Sequence, residues 1–155
     1  MRFTYIVMWF ALLAWPRIAG ADGKKLVVVV AKGSELKSIS RGKLKHCFLG
    51  DSVSEGGKTL VPFNASIEAP ERSGFDRAVL GMSRDEVGEF WVNRKVRGQS
   101  AAPRALPSNA HMAKIVAKFP AAIGYLPVDQ LTPELQPVAV DGVPYTDPHY
   151  DIATL

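Results

Sequence analysis

The fold is decided by the stretch from Thr59 to Ser83, which reads Thr-Leu-Val-Pro-Phe-Asn-Ala-Ser-Ile-Glu-Ala-Pro-Glu-Arg-Ser-Gly-Phe-Asp-Arg-Ala-Val-Leu-Gly-Met-Ser. Its apolar start predicts a buried strand over residues 60–63. Pro62 favours an edge position or a bulge for this strand, because proline has no N–H to donate to a neighbouring strand. The stretch as a whole predicts a strand, a loop at its carboxyl end, and a helix.

This helix is predicted to begin at Pro70 and to end at Gly81, since proline suits the first helical position and glycine the position after the last. Helical spacing directs three apolar side chains to the core, namely Phe75, Val79 and Leu80. It directs three charged side chains to solvent, namely Arg72, Asp76 and Arg77. In open α/β sheets the loop before such a helix commonly binds small anions, because the helix N-terminus offers unpaired N–H groups.

Strands and helical segments alternate along the rest of the chain. Further strands are predicted at residues 26–31, 122–126 and 136–140, and further helices at 41–49, 83–96 and 109–119. Ser83 and Glu86 have the spacing of a capping box, whereas the tail from Pro144 shows no pattern. The alternation predicts one α/β domain with a mixed sheet flanked by helices.

Residues 1–21 resemble a secretory signal peptide. Arg2 precedes an apolar run over residues 3–15, Pro16 ends that run, and Ala19-Gly-Ala21 has the form of a cleavage site. The alternative is an uncleaved anchor, but the run is shorter than the ~20 residues that span a bilayer. The expected division is a signal peptide over residues 1–21 and a domain over 22–155 with its core at about 25–143. Cleavage near Ala21 would release the domain to the periplasm or the exterior.

The charge balance gives no indication of a nucleic-acid partner. Removal of Arg2 and Arg17 leaves 17 basic residues against 15 acidic ones, and no basic run with interleaved aromatic residues is present. The single cysteine, Cys47, excludes an intramolecular disulfide and is expected to be a small buried residue. No nucleophile elbow, P-loop, dinucleotide fingerprint or metal motif is present, so we expect no enzyme, cofactor or metal site.

Several pieces of the sequence match one pattern by their order and spacing. They are residues 27–30, Leu44 with 47–50, 60–64, Arg72 with Phe75, 79–83, Trp91, and 122–125. Together they resemble the periplasmic phosphate-binding proteins of ABC transporters, in particular short relatives with one of the two lobes, over residues 25–128. The resemblance implies a single lobe of the type 2 periplasmic-binding-protein fold.

The resemblance also implies where an anion would lie. Full-length relatives hold phosphate between two lobes, with an Arg and a Ser-Gly-Thr turn at a helix N-terminus. When Phe75 is aligned with the family's helix Phe, that turn falls on residues 69–71 and the Arg falls on Ala65. Glu68 and Glu71 would then lie beside the anion and oppose it electrostatically. The standard site is therefore not retained residue by residue.

Six polar residues could compensate for the lost family residues. They are Asn64, Ser66, Arg72 and Ser73 around the predicted strand end and helix start, with Lys32 and Ser34 after the first strand. Arg72 supplies charge, and Lys32-Gly-Ser34 could form a phosphate-binding nest. The alternatives are local turn hydrogen bonding for the Asn and Ser residues and a solvated helix face for Arg72.

Two functions remain open on this sequence. The resemblance implies a non-enzymatic binding module for a small oxyanion such as phosphate, working with a membrane transporter or as a homodimer that rebuilds the cleft. The changed Arg and Ser-Gly-Thr positions favour instead a protein–protein interaction domain that keeps the fold and has lost the anion site.

Overall fold

The computed structural model of this protein describes residues 24–155, so the predicted signal peptide lies outside the described residues. The strands are β1 (Leu26–Ala31), β2 (Ser38–Ile39), β3 (Ser54–Glu55), β4 (Lys58–Thr59), β5 (Val61–Ala65), β6 (Arg104–Leu106), β7 (Ala122–Pro127), β8 (Leu135–Pro137) and β9 (Ala139–Val140). The helices are α1 (Arg41–Phe48), α2 (Pro70–Phe75), α3 (Arg84–Val96) and α4 (Asn109–Lys118), and α2 continues as a π-helix over Asp76–Leu80.

The central sheet has five strands in the order β6-β5-β7-β1-β8. β5 runs parallel to both β6 and β7, whereas β1 is antiparallel to β7 and to β8. β1 and β7 are buried along their whole length, because helices cover both faces of the sheet, which explains their unbroken apolar sequences. The predicted α/β domain with a mixed sheet flanked by helices is confirmed.

Each face of the sheet has its own helices. On one face α4 packs closely on β7, where a Cβ added to Gly124 would lie 2.5 Å from the sulfur of Met112. On the other face the ring of Tyr125 stacks on Phe75 at 3.9 Å between centroids, and Phe75 contacts Phe48 of α1 at 4.7 Å. Tyr125 and Gly124 point to opposite faces because neighbouring strand residues alternate.

The predicted edge position of Pro62 is wrong, because β5 lies between β6 and β7. The register shows how the sheet accommodates this proline. The Val61 N–H donates to the Ala121 carbonyl on the β7 side, so the missing donor of Pro62 faces the β6 side. Pairing with β6 begins only at Phe63, so no ladder hydrogen bond is lost there.

The helix after Pro70 begins and ends where the sequence predicts, and Gly81 closes it with a φ of 70°. The predicted outward orientation of Arg72 and Asp76 is wrong. Their side chains form a buried ion pair across one helical turn, with 2.8 Å between Arg72 Nε and Asp76 Oδ2. A buried charge is tolerable only when it is paired, and the i, i+4 spacing supplies the partner.

Two further differences concern short elements. β6 lies in a segment predicted to be a connection, and the single strand predicted over residues 136–140 is two strands, β8 and β9. Val96, the last residue of α3, is 81% exposed. The core extends past residue 143 into the tail, where Tyr150, Ile152 and Ala153 are buried.

Candidate functional site

The carboxyl ends of β5, β6 and β7 meet at one edge of the sheet, since these strands are parallel. We call this the carboxyl edge and define it by residues 64–73 and 107–109, which include the beginnings of α2 and α4. Asn64, Ser66, Arg72 and Ser73 all lie in the first of these segments. The structure thus brings together four of the six residues proposed from the sequence.

Lys32 and Ser34 lie at the opposite end of the sheet. β1 is antiparallel to β7, and Val30 pairs with Ile123 near the start of β7. Ser34 Oγ accepts the Leu36 N–H at 3.2 Å, which is local turn bonding. These two residues cannot contact an anion that is held at the carboxyl edge.

Arg72 lies under the carboxyl edge rather than on the surface. Arg72 is only 6% exposed, and its Nη1 lies 3.4 Å from the carbonyl oxygen of Ala65 at the end of β5. Nε donates to Asp76 Oδ2, whereas Asp76 Oδ1 is buried without a partner among the described residues. Burial raises the pKa of Asp76, and the charge and hydrogen bond of Arg72 act in the opposite direction.

Asn64 is held by Tyr125 of β7. The Tyr125 hydroxyl donates to Asn64 Oδ1 at 3.1 Å and accepts the Ala65 N–H at 3.2 Å. Burial raises the pKa of this phenol, so the hydroxyl keeps its proton and remains a donor. The bond fixes the Asn64 amide with its oxygen towards Tyr125.

Two nitrogen donors of these buried side chains remain available at the carboxyl edge. Arg72 Nη2 and Asn64 Nδ2 have no acceptor among residues 24–155, and neither atom is fully enclosed. In the first turn of α2, the N–H groups of Arg72 and Ser73 both donate to the Ala69 carbonyl. This leaves the Glu71 N–H without an acceptor in the described chain.

The two carboxylates near the start of α2 have partners of their own. Glu68 pairs with Arg84 of α3, and the hydrogen bond and charge of Arg84 lower the pKa of Glu68. Glu71 Oε1 accepts the Nδ2 group of Asn109, the first residue of α4, at 2.9 Å. Both carboxylates therefore tie neighbouring helices to the carboxyl edge.

Sequence reasoning missed Asp76, Tyr125 and Asn109 as parts of this region. The i, i+4 spacing of Arg72 and Asp76 is a signal that could have found the ion pair. Tyr125 gave no polar signal because it sits within an apolar strand. Asn109 adjoins Glu71 only through the tertiary packing of α4, which local sequence does not encode.

The described chain contains neither a metal-ligand cluster nor an activated thiol. Within residues 24–155 no group of three or more His, Cys, Asp and Glu residues could hold a metal ion. Cys47 is 1% exposed, and burial raises its pKa to about 12, as expected for a thiol that serves as a small core residue. None of the helices in this part of the chain is long and apolar enough to cross a membrane.

The fold is similar to those of solved phosphate-transport proteins. An ABC-type phosphate transport receptor from Vibrio cholerae matches with a TM-score of 0.65 and 13% identity, over 84% of this chain and 54% of that one. A putative phosphate ABC transporter substrate-binding protein with bound phosphate from Clostridium perfringens matches with a TM-score of 0.62 and 16% identity, over 77% and 46%. PstS from Borrelia burgdorferi matches with a TM-score of 0.58 and 12% identity, over 77% and 48%.

These matches concern the fold. No protein-family model and no curated protein matches the sequence. The chain spans about half the length of the solved structures that it matches. The resemblance predicted from the sequence is confirmed at that level: this chain has the fold of part of a phosphate ABC transporter substrate-binding protein.

Proposed function

We propose that this domain is an exported, non-enzymatic binding module that holds a small oxyanion such as phosphate at the carboxyl edge. The observation that carries the proposal is a pair of donors without an acceptor among residues 24–155, Arg72 Nη2 and Asn64 Nδ2, which belong to buried side chains at that edge. A guanidinium with nearby N–H and hydroxyl donors is the group that a tetrahedral oxyanion requires.

Arg72 would replace the arginine that the family resemblance places at Ala65. Its Nη1 already lies 3.4 Å from the Ala65 carbonyl, so the guanidinium reaches the same strand end from the helix. Ser66 and Ser73 are half-buried in the same segment and would add hydroxyl donors, and the Glu71 N–H would add a backbone donor. The partners of Glu68 and Glu71 weaken the repulsion that these carboxylates would otherwise exert on an anion.

The proposed location is the periplasm or the exterior, where a membrane transporter or a second copy of the chain would supply the other side of the cleft. This part of the proposal rests on the sequence of residues 1–21 and on the similarity of the fold to proteins of ABC transport.

The second candidate is an interaction domain that keeps the fold without a small-molecule ligand. It is favoured by the Arg72–Asp76 ion pair, because the Asp76 carboxylate offsets the charge that would attract an anion. The Tyr125 bond also restricts Asn64 to a single orientation. The two candidates differ in whether phosphate binds to the isolated protein.

Calorimetric titration of the purified protein with phosphate and sulfate tests the proposal. We expect saturable binding with a Kd in the micromolar range, or about −8 kcal/mol. The double variant Arg72→Met/Asp76→Leu removes the guanidinium together with its counter-charge and should abolish binding while the protein stays folded. Ser66→Ala should weaken binding about fivefold, whereas the matched control Ser34→Ala, at the other end of the sheet, should leave it unchanged.

Absence of both heat and thermal stabilisation at millimolar phosphate would refute the oxyanion site and favour the interaction domain. Binding that survives in the double variant would place the anion elsewhere. A melting transition of each variant, recorded by circular dichroism, separates loss of the site from loss of the fold.

A further inference from the structure

A groove of about 620 Å³ lies between α4 and the edge strand β6. Its apolar walls are Val61 and Phe63 of β5, Leu106 of β6, Ile115 of α4, and Phe119 just after α4. The groove exists because α4 packs over the middle of the sheet and leaves the β6 side uncovered. Its volume lies within the ~300–1,000 Å³ typical of small-molecule sites.

Apolar side chains are exposed to water in this groove. Val61 is 48% exposed and Phe119 is 54% exposed, and both are among the large hydrophobic residues that the described chain leaves accessible. Covering them would be favourable, since burial of apolar surface stabilises by about 25 cal/mol per Å². An apolar patch of this kind with a polar rim marks a binding surface.

The ionisable side chains in the groove lining are basic. Arg104 and His111 are its ionisable residues, and no carboxylate of residues 24–155 lines it. Arg104 is exposed and forms no ion pair with any carboxylate of residues 24–155. The Ser108 hydroxyl lies 2.9 Å from His111 Nδ1 and also accepts the His111 N–H. In the tautomer in which the Ser108 hydroxyl donates to Nδ1, His111 Nε2 is a donor.

The ends of β6 argue against a protein occupant. β6 has three residues, and Pro103 and Pro107 flank it on both sides, so an added strand would find few backbone partners. A second copy docked symmetrically on this edge would bring two unpaired Arg104 side chains together. A small ligand with an apolar body and one negative charge meets neither obstacle.

We propose that this groove binds a small amphipathic anion, with its apolar body against Val61 and Phe119 and its carboxylate at Arg104. The groove shares only Pro107 with the residues that define the carboxyl edge, and neither Asn64 nor Arg72 lines it, so the two proposals stand or fall independently. The apolar walls match an apolar body, and the positive charge of Arg104 at the rim matches a negatively charged group.

Titration of the purified protein with dodecanoate, and with dodecanol as the uncharged analogue, tests this inference. We expect saturable binding of one dodecanoate per chain. Arg104→Gln should weaken dodecanoate about tenfold and leave dodecanol within about twofold, because the substitution removes a charge contact alone. Phe119→Ser should weaken both compounds by about tenfold, because it removes part of the apolar wall.

Matched controls lie on α3 and just after it. Arg97→Gln removes an exposed arginine and Val96→Ser an exposed apolar side chain, both outside the groove, and neither should change binding. Non-saturable uptake, equal loss in the control variants, or equal affinity for the acid and the alcohol would overturn the proposal. Self-association that Phe119→Ser abolishes, seen by sedimentation velocity without added ligand, would assign the groove to a second copy instead.

Discussion

Arg72 and Asp76 form a buried ion pair whose energetic role can be separated from its proposed contact with an anion. Arg72→Met alone should destabilise the protein by about 3–5 kcal/mol, since it leaves Asp76 charged and unpaired in the core. The double variant Arg72→Met/Asp76→Leu should recover most of this loss, because replacing a buried pair by apolar groups is commonly neutral or stabilising. Urea unfolding of both variants measures the difference.

The difference in stability between the double variant and the unchanged protein should depend on pH. Burial raises the folded-state pKa of Asp76 above the ordinary value of 3.8. The stability that protonated Asp76 contributes is therefore fully present below pH 3.8 and is lost as the pH rises through the folded-state pKa. The double variant lacks this loss, so its stability relative to the unchanged protein should increase as the pH rises from 3.8. A constant difference across that range would contradict the raised pKa.

At the scale of single elements, α3 depends on its first turn. Ser83 Oγ accepts the Glu86 N–H at 3.3 Å, and Glu86 Oε2 accepts the Ser83 N–H at 2.7 Å, which confirms the predicted capping box. Ser83→Ala should lower the free energy of unfolding by about 1 kcal/mol. Thermal and urea denaturation measure this loss. Ser52→Ala, a substitution in an exposed loop, is the control. An equal loss of stability in this control would show that the missing cap is not the cause.

Local sequence patterns predicted the elements that are long or that begin with a capping residue. β1, the start of α2 at Pro70, the capping box at Ser83 and the beginning of α4 after Ser108 all follow from residues within a few positions of one another. The three-residue strand β6 was missed because its place beside β5 depends on pairing across the sheet. The burial of Arg72 was missed for a different reason. Helical spacing predicted a solvated face, whereas Arg72 pairs with Asp76 one turn later and packs against the end of β5.

The candidate site was predicted in part. Asn64, Ser66, Arg72 and Ser73 come from one continuous segment, so sequence position alone placed them near each other. The grouping with Lys32 and Ser34 failed because the direction of β1 in the sheet is a property of the topology. A parallel β1 would have brought them to the carboxyl edge, whereas the antiparallel one carries them away.

At the scale of the whole molecule, the C-terminal tail completes the sheet. The Leu26 N–H donates to the Ala153 carbonyl at 2.9 Å, at a point of β1 that β8 does not reach. The Tyr150 hydroxyl accepts the Val28 N–H and donates to the Val138 carbonyl, both at 3.1 Å. A segment without any sequence pattern thus supplies hydrogen-bond partners to β1.

The tail should consequently unfold together with the rest of the domain. Ile152 is fully buried, and Ile152→Ala should cost about 2–5 kcal/mol, the usual range for a cavity left in a core. Asp151→Ala, an exposed neighbour, should cost much less, and hydrogen exchange at Leu26 should speed up in parallel with the measured loss of stability. If Ile152→Ala instead changed the unfolding free energy by less than about 0.5 kcal/mol, as surface substitutions do, the tail would be an appendage to a core that ends near residue 143.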